Sequence, residues 1–282
     1  ASLEIFWSIS REMKMKTTNN RHAPYMMKRT LIISILILNA ITLAAIKPNR
    51  VYSYTPDKLD LTYEEFKVKS DDGYALNVWH LPSEGEGTPV IISQSDAGNM
   101  GDWLYLGLYL QAYGLDVWMY DYRGFGQSDD FKIVQNQLFH MEFVKDLDAV
   151  AKYVYQKTDM SPALLGISMG TIIVNEYLRV ADSPVSKVVF DGYVSDPKSW
   201  NDKLAANGKT VTLPDGYKNR KYRQKNHDVL FIVSEKDAYS TLSDIPKAAK
   251  GKQVIKTFDC EHISGFFRYP EEYTTAIVDF LK

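Results

Sequence analysis

The sequence predicts an α/β fold: a mostly parallel, doubly wound sheet of about eight strands with helices on both faces. Two observations carry this. From residue 62 onward short apolar runs alternate with longer amphipathic ones, which is the rhythm of repeated β-α units. The short runs are also nearly all Val, Ile and Leu without polar alternation, so each is buried on both faces, as strands of a parallel sheet are.

Taken in order, "EFKVKSDDGYALNVWHLP" gives two strands joined by a turn at 71–73, where Gly73 supplies positive φ. "PVIISQS" is a short apolar strand, and "WLYLGLYLQAYG" is a helix stopped by Gly114. "LDVWMYDY" is a strand. "MEFVKDLDAVAKYVYQK" is a helix with Val144, Leu147, Val150 and Val154 on one face. Then come "PALLGI" as strand, "GTIIVNEYLRV" as helix and "KVVF" as strand. After an irregular stretch, "VLFIVS" is a strand, 244–250 a short helix, "KQVIKTF" a strand and 271–282 the last helix.

Composition narrows the partners. A net charge of −2 argues against a nucleic-acid binder, which needs a basic excess to neutralise phosphates. The single cysteine, Cys260, excludes an intrachain disulfide and any Cys-based metal site. The N-terminal region differs from the rest. From Leu31 to Ile46 the chain is uncharged, and Lys28, Arg29 and further basic residues precede it. This stretch suits a signal-peptide core better than a full membrane span of about 20 residues, with Ala44 and Ala45 as a weak cleavage site. The basic flank keeps the N-terminus inside and sends the domain across the membrane. The expected organisation is an upstream segment 1–26, a signal peptide or membrane anchor 27–46, a linker 47–61 and one domain 62–282, exported to the periplasm or outside the cell.

In such a sheet, ligands sit outside the carboxyl ends of the strands, so the residues just after each strand are the ones that can meet. Gly166-Ile167-Ser168-Met169-Gly170 ends a strand and opens a helix, the context that a nucleophile elbow requires. A serine hydroxyl needs a base. Of five histidines, His22 precedes the hydrophobic segment, His80 lies inside an early strand, His140 precedes a helix and His227 begins a strand. His262 follows a late strand at its carboxyl end. The acid that orients it is expected at Asp237, just past "VLFIVS", which gives the chain order Ser, Asp, His. Asp191, ending "KVVF", is the competing acid, and Glu235 is less well placed.

Over about residues 60–282 these features resemble the α/β-hydrolase superfamily, in its serine esterase and lipase-like branch with a short lid. "YDYRGFGQSD" at 120–129 is similar to the D-x-R-G-x-G-x-S segment of many such esterases, with Arg123, Gly124 and Gly126 as loop architecture. The resemblance implies an oxyanion hole built from the backbone amides of Asp96 and Met169. In the family the loop after the third strand usually reads His-Gly-x; here Gln94-Ser95 stands there. Serine tolerates unusual backbone angles less well than glycine, and the Asp96 carboxylate disfavours a nearby negative charge unless it points away or is paired. Residues 192–227 fall where a lid is carried, and "YKNRKYRQKNH" within them is basic: a solvated loop, or a patch that attracts anionic substrates or lipid head groups. The function expected is cleavage of a carboxylic ester or related acyl bond of a small molecule through an acyl-enzyme, a chemistry that implies no metal or organic cofactor. A peptidase or amidase on the same triad, and a non-catalytic binding protein with an impaired oxyanion hole, are the alternatives.

Overall fold

The computed structural model describes residues 46–181, 184–194, 197–206, 208, 210–214, 227–246 and 251–282. The strands are β1 (Lys47–Pro48), β2 (Glu64–Lys69), β3 (Ala75–Leu81), β4 (Pro89–Ser93), β5 (Ala97–Gly98), β6 (Asp116–Tyr120), β7 (Ala163–Ile167), β8 (Lys187–Asp191), β9 (Asp228–Ser234) and β10 (Gln253–Phe258). The helices are α1 (Leu104–Ala112), α2 (His140–Thr158), α3 (Met169–Val180), α4 (Pro197–Ala206), α5 (Gly265–Arg268) and α6 (Pro270–Leu281).

Eight strands form one sheet in the order β10-β9-β8-β7-β4-β6-β3-β2. The β2–β3 hairpin is antiparallel and joins β6 antiparallel; across the rest of the sheet every neighbouring pair is parallel. The central strands β4, β6 and β7 are buried at every position, their apolar runs bounded by the buried polar residues Asp116 and Ser93. Successive side chains serve opposite cores. Ile91 and Leu164 share a cluster with Leu147 and Val150 of α2 and Ile173 and Tyr177 of α3. Ile92 and Leu165 share the other with Leu106 and Leu110 of α1 and Tyr273 and Ile277 of α6. Helices thus cover both faces of the sheet's centre.

Strand β4 pairs with β6 on one side and β7 on the other, in register Ser93 to Gly166 for the latter. Chain order reverses at that point, so the carboxyl ends of β4 and β7 border the crevice where an open α/β sheet binds ligands.

Several local outcomes differ from the sequence reading, among them the ten-residue α4 inside the stretch read as irregular and the short α5 before the last helix. At the start of the short helix expected at 244–250, a single 3-10 turn, Leu242–Asp244, is closed by a capping box between Thr241 and Asp244; residues 247–250 of that expectation lie outside the described residues. The last helix opens one residue early, with Pro270 in its first turn, where a missing N–H costs nothing. The segment 47–61, read as a linker, is strapped to the domain. Ile46 is buried in the core, its amide donating to the Gln135 carbonyl at 2.7 Å, and β1 pairs parallel with β5. Among the described residues no helix is long and apolar enough to cross a membrane; the upstream segment expected at 1–26 and all but Ile46 of the signal or anchor segment expected at 27–46 lie outside them.

Candidate active site

Ser168 stands between β7 and α3 at φ 50°, ψ −112°, a backbone conformation that an L-residue adopts only at a cost. Hydrogen bonds to its backbone hold it there, one of them from the Thr171 amide to its carbonyl at 2.9 Å. Its amide donates to the Asp191 carbonyl at 2.9 Å, and the Thr171 hydroxyl donates to its carbonyl at 2.7 Å. The flanking glycines are packing requirements. A β-carbon on Gly170 would run into the Ser93 carbonyl, and one on Gly166 would lie 2.9 Å from the Gly170 oxygen and 3.1 Å from Thr171 Cα. The same absence of side chains lets the first turn of α3 press against the end of β4.

His262 lies in the turn after β10. Its Nε2 is 2.8 Å from Ser168 Oγ, and its Nδ1 is 2.6 Å from Asp237 Oδ2. An acidic acceptor at Nδ1 selects the tautomer with the proton there, which leaves Nε2 free to accept from the serine hydroxyl. Asp237 follows β9, and its side chain has no exposed surface. Its other oxygen accepts from the amides of Tyr239 at 2.7 Å and Ser240 at 3.1 Å, so the turn itself aims the carboxylate at the imidazole. The imidazole keeps 18% of its surface open, enough to be reached from the crevice.

Asp191, the competing acid, is turned elsewhere. It is fully buried and accepts from the Tyr273 hydroxyl at 2.8 Å, and burial pushes its carboxyl up to about 6. Glu235, the first residue past β9, is exposed. The structure brings Ser168, His262 and Asp237 into one hydrogen-bonded line and leaves Asp191 beside it.

Two residues of this centre carry no motif. Gly192, at φ +63°, lies so close to the imidazole that a β-carbon there would be 2.7 Å from His262 Cε1. Ile263, next to the histidine, is β-branched yet sits at φ 48°. A β-branched residue in that region is a true outlier, and it fixes the chain direction just after the imidazole. Only the isolated glycine after "KVVFD" hinted at either from the sequence.

Gln94-Ser95 does not strain the loop after β4. Ser95 is not among the residues with positive φ, so glycine is not required there; the left-handed position is Gly98, at φ +80°. Met169, the first residue of α3, is fully buried, and the Asp96 carbonyl accepts from the Lys47 amide at 2.8 Å. Arg123 is architectural. It is almost fully buried, grips Asp146 through Nε and Nη2 at 2.9 and 2.7 Å, bonds both oxygens of Asp72, and lies 4.1 Å over the Tyr74 ring. These carboxylates hold its guanidinium above its ordinary value, and it holds Asp72 well below the usual carboxylate range.

In the lid region, α4 is followed by a single bridge between Gln137 and Thr212. Most of the basic run, 217–226, lies outside the described residues. Among the described residues no group of three or more His, Cys, Asp or Glu could hold a metal ion.

A family model described as the alpha/beta hydrolase fold matches residues 88–212. Over 279 residues the chain is 26% identical to the uncharacterized protein YfhR of Salmonella typhi, covering 89% of this chain and 92% of that one. The Arabidopsis thaliana "Alpha/beta hydrolase domain-containing protein WAV2" is 28% identical over 128 residues, which is 43% of this chain and 40% of WAV2. Among solved structures, the Pyrococcus furiosus esterase Pf2001 superposes with a TM-score of 0.67 at 17% identity, covering 84% of this chain and 96% of the esterase. An Exiguobacterium antarcticum esterase superposes with a TM-score of 0.57 at 18% identity, covering 78% of this chain and 99% of the other.

Proposed function

We propose that this chain, a member of the α/β-hydrolase superfamily, is a serine hydrolase that cleaves a carboxylic ester or related acyl bond through an acyl-enzyme. The observation that carries the reading is the line from Ser168 Oγ to His262 Nε2 and from His262 Nδ1 to Asp237 Oδ2, built on a strained turn at the carboxyl end of the sheet.

Ser168 Oγ attacks the acyl carbon while His262 Nε2 takes its proton. Asp237 holds the imidazole in place and stabilises its positive charge without taking the proton itself. The amides of Asp96 and Met169 receive the oxyanion. Collapse expels the alcohol, protonated by His262, and leaves the acyl group on Ser168. Water, deprotonated by the same imidazole, then attacks the acyl-enzyme, and the acid leaves as Ser168 regains its proton. The substrate is a small molecule, and the hydrophobic stretch preceding Ile46 directs the domain out of the cytoplasm, as a signal peptide or a tether.

A fluorophosphonate probe tests the chemistry, because its phosphorus is attacked by the same activated oxygen. Covalent labelling at Ser168 is expected, abolished by Ser168→Ala and severely slowed by His262→Ala. A folded protein whose Ser168 resists the probe from neutral to mildly alkaline pH would return the chain to the binding-protein reading.

A further inference from the structure

An oxyanion hole works only when its donors are fixed before charge develops. In residues 94–100, which carry no His-Gly, that rigidity has to come from what the loop is bonded to. Both of its ends reach one carboxylate. Asp121 follows β6 and has no exposed surface. Its Oδ1 accepts from the Gln94 side-chain amide at 3.2 Å and from the Met100 backbone amide at 2.8 Å, and its Oδ2 accepts from the Tyr52 hydroxyl. The Tyr52 oxygen in turn accepts from Asn77 Nδ2 at 3.0 Å and from the Gln127 amide at 3.1 Å, while its ring packs against Trp79 with centroids 4.6 Å apart.

The middle of the loop is bonded to the chain just before Tyr52. The Lys47 amide donates to the Asp96 carbonyl and the Asn49 amide to the Gly98 carbonyl, each at 2.8 Å. Asn99 Nδ2 donates to the carbonyls of Asn49 and Val51 at 3.1 and 2.9 Å. Room for the bond between Tyr52 and Asp121 is left by Gly126, where a β-carbon would collide with the carboxylate and lie 2.7 Å from the phenol oxygen. Burial pushes the Asp121 carboxyl up to about 6, and the donors around it are what oppose that push.

We propose that Asp121 and Tyr52 are positioning residues for the oxyanion hole: with the strap 46–52 they hold the Asp96 amide where it receives the tetrahedral oxyanion. Neither touches substrate. The inference rests on the serine-hydrolase reading, and the test separates the two.

Tyr52→Phe removes the hydroxyl and leaves the ring on Trp79; Asp121→Asn is the second variant, and urea denaturation checks that each folds. Turnover is measured per Ser168 titrated by fluorophosphonate, together with inhibition by an alkyl trifluoromethyl ketone, which adds to the serine and places a negative oxygen in the hole. A displaced donor should lower kcat about tenfold or more, with KM nearly unchanged and the ketone's Ki raised by a similar factor. Wild-type kcat and Ki in folded Tyr52→Phe would overturn the positioning role alone, as would a change confined to KM. An inert wild-type Ser168 would overturn the hydrolase reading and this role with it.

Discussion

The Tyr273 hydroxyl donates to Asp191 Oδ2 at 2.8 Å, and that bond turns the carboxylate ending β8 toward α6 instead of toward the imidazole. Asp237 and Asp191 are both buried acids near one histidine, but it is Asp237 that bonds it. Replacing Asp237 with Asn should therefore cut kcat by about 10⁴-fold, since the amide favours the wrong tautomer. Asp191→Asn should cost far less, because it leaves the tautomer untouched. Steady-state kinetics on one ester decides the ranking.

Asp191 has a second, separable signature. Its folded pKa of about 6 lies above the ordinary value of 3.8, so between those values the native state binds more protons than the unfolded one. Stability from this group is present below pH 3.8 and lost as pH rises through about 6. A shift of about two units corresponds to roughly 3 kcal/mol at most. Wild type should lose up to that much relative to Asp191→Asn between about pH 4 and about pH 7, read from urea unfolding of both proteins.

Gly192→Ala would put a methyl group against the imidazole and against Ile263 Cγ2, at 2.7 and 2.8 Å, on a backbone that already favours glycine. The ring has to move. A displacement of about 1 Å costs on the order of 100-fold, so kcat should fall by about that factor while KM changes little.

Arg123→Gln would leave Asp146, which has no exposed surface, without its cation. Breaking a buried pair in this way costs about 3–5 kcal/mol. The loss should appear in the urea midpoint, with the activity of the remaining folded fraction close to normal.

The strands were legible because a doubly covered parallel strand has no option but continuous apolar sequence, as in "PVIIS" and "VLFIVS". The turn around Ser168 was legible because sterics demand glycine two residues to either side of it. Asp237 and His262 could be chosen by their place after late strands. The strap was not legible. A two-residue pairing has no period, and its other anchors are side-chain amides such as Asn99, whose partners lie about fifty residues away. The bond between Tyr52 and Asp121 spans 69 residues and leaves no local trace. The left-handed position in the loop after β4 proved to be Gly98, so the absence of glycine at 95 says little about that loop's geometry.

The order of strands along the chain also sets an order in time. Ser168 is made with β7, past the middle of the sequence, whereas His262 and Asp237 arrive with β10 and β9, 94 residues separating serine from histidine. Such non-local pairings are slow to form. A growing or refolding chain can therefore complete the turn around Ser168 before His262 and Asp237 reach it. On dilution from urea, far-UV circular dichroism should recover before fluorophosphonate reactivity does. Simultaneous recovery would mean that the sheet closes in a single step, edge strand included.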